Sequence, residues 1–217
     1  MGIMDILNYH WYDLGIISGL AMIRYYRANN RTLSTPQKYL IADFLALIVH
    51  QFEEYRFPGG FPAIMNIAVQ ESDVPDRYPL NAQSAMFTNV LSTYGLYLPV
   101  IFFPEVTWLG LTTILFSFSQ VWIHGIMINS KLGSIYNPGL TAVVLGFVPI
   151  GLKYIRYMQE KGLLTTRDWI LGSIGAVLVG WGLLLKSTFG WLPDYDTAYP
   201  FTQAEMQRWG ARVAGVV

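Results

Sequence analysis

Cysteine is missing from all 217 residues, and charged side chains make up only 13% of them. The first absence removes disulfides, thiolate metal sites, iron–sulfur clusters and cysteine nucleophiles together. The second sets the chain apart from soluble domains, in which roughly a quarter of residues are charged. Fourteen basic residues balance fourteen acidic ones with no Lys/Arg block, so the electrostatic footprint of a nucleic-acid-binding protein is lacking and no such partner is expected. Basic residues ahead of the first apolar run and a small-residue cleavage pattern are also wanting. No removable signal peptide is therefore expected. Any chemistry has to come from His, carboxylates, hydroxyls and backbone.

What is there is apolar: 53% of the residues are hydrophobic, and they fall into runs long enough to cross a bilayer. Helical spans are predicted at about residues 11–26, 36–55, 82–103, 106–128, 138–157 and 169–189. The expected fold is all-α: a polytopic integral membrane protein of six transmembrane helices forming one domain over 1–217. Ser34-Thr35-Pro36 reads as a helix start. Residues 61–70 are apolar but broken by Pro and Gly and too short to span, so a re-entrant or interfacial segment is expected after the second span. Trp11 and Tyr12 suit an interfacial aromatic belt. The tail, 190–217, is expected at the interface, with an amphipathic helix over 202–214 lying on the membrane surface. Basic residues concentrate in 27–38 and 153–167. The positive-inside rule then puts both termini on the non-cytoplasmic side of a prokaryotic inner membrane.

The run at 39–49 closes on His50-Gln51-Phe52-Glu53-Glu54. On a helix, Glu53 and Glu54 lie at i+3 and i+4 from His50, within about 6 Å between Cβ atoms. Ionisable groups at the end of a span point to function, because burying them unpaired is costly. His124 ends the fourth span on the same side of the membrane. Two imidazoles and a carboxylate suit zinc or non-haem iron. The expected ligands of a divalent metal are therefore His50, His124 and one of Glu53 or Glu54. Glu53 is the favoured ligand and Glu54 the general base on metal-activated water. The plain alternative is a solvated helix end with Arg56 neutralising a carboxylate, although acids at a helix C-terminus oppose its dipole.

Other polar residues read more simply. His10 is expected to be solvated or structural, Asn129 to be a C-cap, and Asp43 to pair with Arg24 at matching depth. Asn89, Ser92, Thr93 and Tyr94 suit interhelical hydrogen bonding, worth on the order of 0.6 kcal/mol each. In Tyr136-Asn137-Pro138-Gly139, proline opens the next helix and Asn137 is expected to cap it. That helix N-terminus would face an anion or developing oxyanion, with Tyr136 positioning substrate.

At these residues the chain resembles the HXXEE-motif family of integral membrane proteins, over roughly residues 43–151. The family's three motifs, in its order, read here as His50-Gln51-Phe52-Glu53-Glu54, His124 and Tyr136-Asn137-Pro138-Gly139. The resemblance implies a multi-span membrane protein and marks His50, Glu53, Glu54, His124, Tyr136, Pro138 and Gly139, but it carries no activity. Glu53-Glu54 is also analogous to the paired glutamates of membrane-embedded proteases that cleave prenylated or bacteriocin-related substrates. The spacing to Arg56 and from His124 to Asn129 departs from that pattern.

The expected function is metal-dependent hydrolysis of an amphiphilic or lipid-like substrate at an outer-leaflet His/Glu site in the lipid bilayer, with zinc favoured. The same ligands suit a non-haem iron oxidoreductase. A transporter or ligand-binding protein relaying protons through His and Glu is the non-enzymatic alternative, and it requires polar residues continuing through both leaflets.

Overall fold

The computed structural model describes residues 2–213. Among them the elements are helices joined by short connections, with no strand. Helices α1 (Ile3–Asn29) and α2 (Thr35–Tyr55) form a hairpin. Ser34 Oγ accepts the Gln37 N–H, and the Gln37 side chain accepts the Ser34 N–H at 3.0 Å. This reciprocal cap, worth about 1 kcal/mol, starts α2 where the Ser-Thr-Pro sequence predicts.

A short helix α3 (61–69) follows. Nine residues rise only ~14 Å, too little to cross a bilayer. Asn66 staples the loop behind α3, donating to the carbonyls of Pro75 and Leu80 and accepting the Leu80 N–H. Then come α4 (82–100), capped by Asn81, α5 (Thr107–Leu132), α6 (Leu140–Glu160), α7 (Thr166–Trp191) and α8 (Gln203–Val213).

Helices α5, α6 and α7 are long and apolar enough to cross a membrane. Helices α1 and α2 have the length, at 27 and 21 residues, but Asp13 and Arg24 interrupt one and Lys38, Asp43 and the Glu pair the other. Helices α5 and α7 lie close at their first halves. A Cβ on Gly172 would sit 2.9 Å from Leu111, and one on Gly175 would run into Thr112. Further along, the space opens: at Gly180 a Cβ would meet only the Phe116 ring, at 3.8 Å. Both helices widen to π turns there, over Val121–Ile128 and Leu178–Trp191.

The apolar interior falls into two clusters. One, with Leu40, Phe44, Tyr97, Phe147 and Tyr154, fills the middle of the bundle. The other, with Trp11, Tyr55, Ile64, Phe201 and Trp209, closes the end at which α2 finishes. Trp11 and Tyr12, expected in an interfacial belt, are 4% and 6% exposed and pack on Tyr55. The burying surface is the tail, which folds back over this end. Ala82 donates to the Tyr199 carbonyl at 3.0 Å, and α8 seats Trp209 against Gly60 of the α2–α3 turn. The apolar side of α8 is thus occupied by protein. Ala214, the last residue of the expected tail helix, lies with 215–217 outside the described residues.

Asp43 does not pair with Arg24. Its Oδ1 accepts the Ser117 hydroxyl at 2.9 Å, and Oδ2 has no partner. The side chain points into the bundle between α2 and α5, so an arginine on the peripheral helix cannot reach it.

Candidate metal centre

His50 lies in the last turns of α2 and His124 in the widened turn of α5, both buried. Their ring centroids are 4.8 Å apart at 82°. His50 Nδ1 lies 3.0 Å from the Gly139 carbonyl. A carbonyl only accepts, so Nδ1 carries a proton, and in the neutral ring Nε2 is the lone pair. His124 Nδ1 lies 2.7 Å from Asn137 Oδ1. That amide is oriented by its own donations, since Nδ2 gives hydrogens to the His124 carbonyl and to Asn129 Oδ1, both at 2.7 Å. Turning it round would set oxygen against oxygen. In the neutral ring of His124, Nε2 is likewise the lone pair.

Both Nε2 atoms face Glu54 Oε1, that of His50 at 3.6 Å and that of His124 at 3.3 Å. The three donor atoms all lie within 4.8 Å of one another. Tetrahedral zinc with bonds of ~2.0–2.1 Å spaces its ligand atoms about 3.3 Å apart. With both rings neutral, three electron-rich atoms converge here, an arrangement that a cation relieves. No Lys or Arg among the described residues pairs with Glu54, and Arg56 instead pairs with Asp13 at 3.1 Å. The residues present fit a divalent metal. Outer hydrogen bonds of this kind, from the far ring nitrogen to a carbonyl or amide oxygen, fix the ring and raise its basicity.

Glu53 goes elsewhere. Steps of 100° put i+3 and i+4 on opposite sides of His50, and only Glu54 turns towards His124. Glu53 faces the start of α6: Oε1 accepts the Tyr136 hydroxyl at 2.9 Å and the Thr141 N–H at 3.1 Å, and Oε2 accepts the Ala142 N–H at 2.9 Å. The helix N-terminus expected to hold an external anion is thus engaged by the chain's own carboxylate. Tyr136, expected to position substrate, is the third donor to that carboxylate. Burial, and after it the nearby Glu53, pushes its phenol up to about 12.

The 136–139 turn supports the site from below. Gly139 has φ +102°, and a Cβ there would stand 2.6 Å from His124 Cε1 and 2.9 Å from His50 Cε1. Glycine is required because its backbone lies directly against both rings. Asn137, expected as a helix cap, meets α6 only through its carbonyl, at 3.1 Å from the Leu140 nitrogen. Its side chain serves His124. Asn129, expected as a C-cap, holds Asn137 in turn. His10 pairs with Asp13 at 3.0 Å, outside the cluster. Of the expected interhelical polar groups, Asn89 and Thr93 bind Gln51, and Tyr94 binds Ser18.

Phe61 stacks on His124 at 5.7 Å and Phe147 leans on His50 at 5.3 Å, so water is largely excluded. One face stays open. His50, Glu54 and His124 form part of the wall of a cavity of about 440 Å³, lined otherwise mainly by apolar side chains.

A family model described as a protein of unknown function with HXXEE motif matches residues 41–154. The chain belongs to the HXXEE-motif family. No curated protein and no solved structure matches it. In this member, the family's first histidine and second glutamate face the paired histidine on α5, and its first glutamate fastens the YxPG turn that lies under both rings.

Proposed function

We infer that this protein is a membrane-embedded, metal-dependent hydrolase acting on an amphiphilic or lipid-like substrate. The observation that carries the reading is the convergence of two imidazole Nε2 atoms and Glu54 Oε1 at the wall of an apolar cavity. A divalent metal held by His50, His124 and Glu54, zinc first, supplies a Lewis acid and an acidified water when bound. Phe61 and Phe147 keep bulk water out, and the 136–139 turn holds the two rings in register. Water adds its oxygen to an acyl carbon and gives up a proton to Glu54, the bond to the leaving oxygen or nitrogen breaks, and Glu54 passes that proton to the leaving atom. Glu53, saturated by three donors, anchors the turn.

In this reading α1, α2 and α4 cross the bilayer with α5–α7, making six spans, and α3 dips in from one side. The positive-inside rule sets both termini and the metal centre on the non-cytoplasmic side of a prokaryotic inner membrane. Against a proton relay through the bilayer stand two buried apolar residues beside the site, Leu47, which lies between Asp43 and His50 along α2, and Phe147, which packs on His50.

A second reading, a non-haem iron oxidoreductase, is favoured by one feature: two histidines and one carboxylate on one side leave the other positions open. Metal analysis of protein purified without chelator tests both. Near-stoichiometric metal that is lost in His50→Ala and His124→Ala supports a metal enzyme; colourless zinc supports hydrolysis, and coloured iron supports oxidation. Metal content unchanged in both variants overturns the reading.

A further inference from the structure

The cavity lies where α5 and α7 part company. Phe116, Gln120 and His124 form its α5 wall, and Gly180, Leu184 and Thr188 its α7 wall. The two helices touch at Gly172 and Gly175 and diverge towards Trp122 and Leu185. Those two residues belong to the cavity lining and yet are 63% and 45% exposed on the outside of the bundle. The opening is therefore framed by large apolar side chains on helices long and apolar enough to cross a membrane, and in a bilayer it faces acyl chains.

The chemistry of the wall limits what comes through. No Lys or Arg contributes to it, and Glu54 is its one acidic residue. A phosphate or free carboxylate inside would be a desolvated charge without a counter-ion apart from the metal, a large cost. Uncharged polar groups do have partners. Gln120 stands one turn before His124, and the buried Thr188 hydroxyl, without a hydrogen-bond partner, adds an unsatisfied donor and acceptor to an otherwise apolar wall. A cavity of about 440 Å³ is at the lower end for small-molecule sites, enough for one acyl chain and a small head.

We propose that the substrate is an uncharged single-chain amphiphile that reaches the metal centre sideways from the bilayer, through the cleft between α5 and α7. The proposal rests on the metal-enzyme reading for what happens to that molecule, but the access route has its own test. The protein in lipid nanodiscs is exposed to a diazirine-bearing hexadecanol and, separately, to the same chain as its phosphate ester, and labelled peptides are mapped by mass spectrometry. The neutral probe labels the segments around Gln120 and Leu184, unlabelled hexadecanol competes, and the phosphate labels several-fold less. Gly180→Trp and Leu184→Trp, which fill the cleft, each lower neutral labelling several-fold while bound metal is retained. Because the chain has no cysteine, a Trp122→Cys/Leu185→Cys pair joined by a bismaleimide closes the opening selectively, and labelling is lost only after cross-linking. Equal labelling by the phosphate probe, labelling without competition, or labelling undiminished by the cross-link overturns the proposal. Metal present without cavity labelling sinks the access route alone; labelling present without metal sinks the metal reading alone.

Discussion

Asn137 accepts the Nδ1–H of His124 at 2.7 Å and thereby turns the opposite ring nitrogen towards Glu54. Its amide is itself held by two donations of its own. Asn137→Ala should leave the fold intact and weaken metal binding about 10–100-fold, the usual cost of losing such an outer partner. Competition against a chromophoric chelator measures this. Asn137→Asp, which keeps the acceptor, should recover part of the loss.

The two adjacent glutamates should separate cleanly. Glu54→Gln removes a carboxylate from the cluster and should abolish tight metal binding. Glu53→Gln should retain the metal, because Glu53 meets Tyr136, Thr141 and Ala142 rather than the histidines. Metal-to-protein ratios of the two purified variants decide it; loss in Glu53→Gln alone would reverse the assignment.

Gly139→Ala combines a strained φ of +102° with a Cβ 2.6 Å from His124. A penalty of about 1–3 kcal/mol is expected, seen as a lowered thermal midpoint, together with weakened metal binding as the rings are pushed apart. Gly133→Ala, also at positive φ but with open space around it, should show the backbone cost without the effect on metal.

Tyr136 lies between α5 and α6, and its phenol is raised from 10.0 to about 12, by burial first and Glu53 second. The folded value lies above the unfolded one. Its contribution to stability is therefore complete below about pH 10 and is lost as pH rises towards 12. Comparing wild type with Tyr136→Phe isolates this among the other tyrosines: the variant should be less stable at neutral pH, and the gap should close through that window. A gap constant with pH would contradict it.

Asp43 and Arg24 should be energetically independent. In a double-mutant cycle of Arg24→Ala with Asp43→Asn, the coupling should be within about 0.5 kcal/mol of zero. Asp43→Asn should also leave metal content unchanged, since the carboxylate bonds to Ser117 away from the cluster.

Much of the site was legible along the chain. The His50–Glu54 spacing follows from helical periodicity, and the apolar run of α5 carries His124 towards the same end of the bundle, although the helix continues past it to Leu132. The Pro138-Gly139 pair announces a turn and a helix start. Less legible was which glutamate turns inward, because i+3 and i+4 are equally near His50 on a helix, and the choice depends on where α5 and α6 stand around it. Asn137 was misread as a cap for a similar reason: an Asn before Pro looks the same whether its side chain bonds its own helix or a histidine thirteen residues earlier. The widened turn at Val121–Ile128 leaves no composition signal, although it helps to set the direction of His124.

The sequence by itself determined the helical character of the described residues, the apolar character of α5, α6 and α7, and a set of candidate ligands limited to imidazole and carboxylate. Those follow from local composition and spacing, which every residue carries with it. Only the tertiary structure decided that Glu54 joins the histidines while Glu53 binds a helix N-terminus, that Asp43 turns to Ser117, and that α5 and α7 diverge around a cavity. Each of these depends on the relative placement of helices distant in sequence. That placement is set by packing, such as Gly172 and Gly175 against α5 and Gly139 beneath two rings, and no local pattern encodes the partner that will be met.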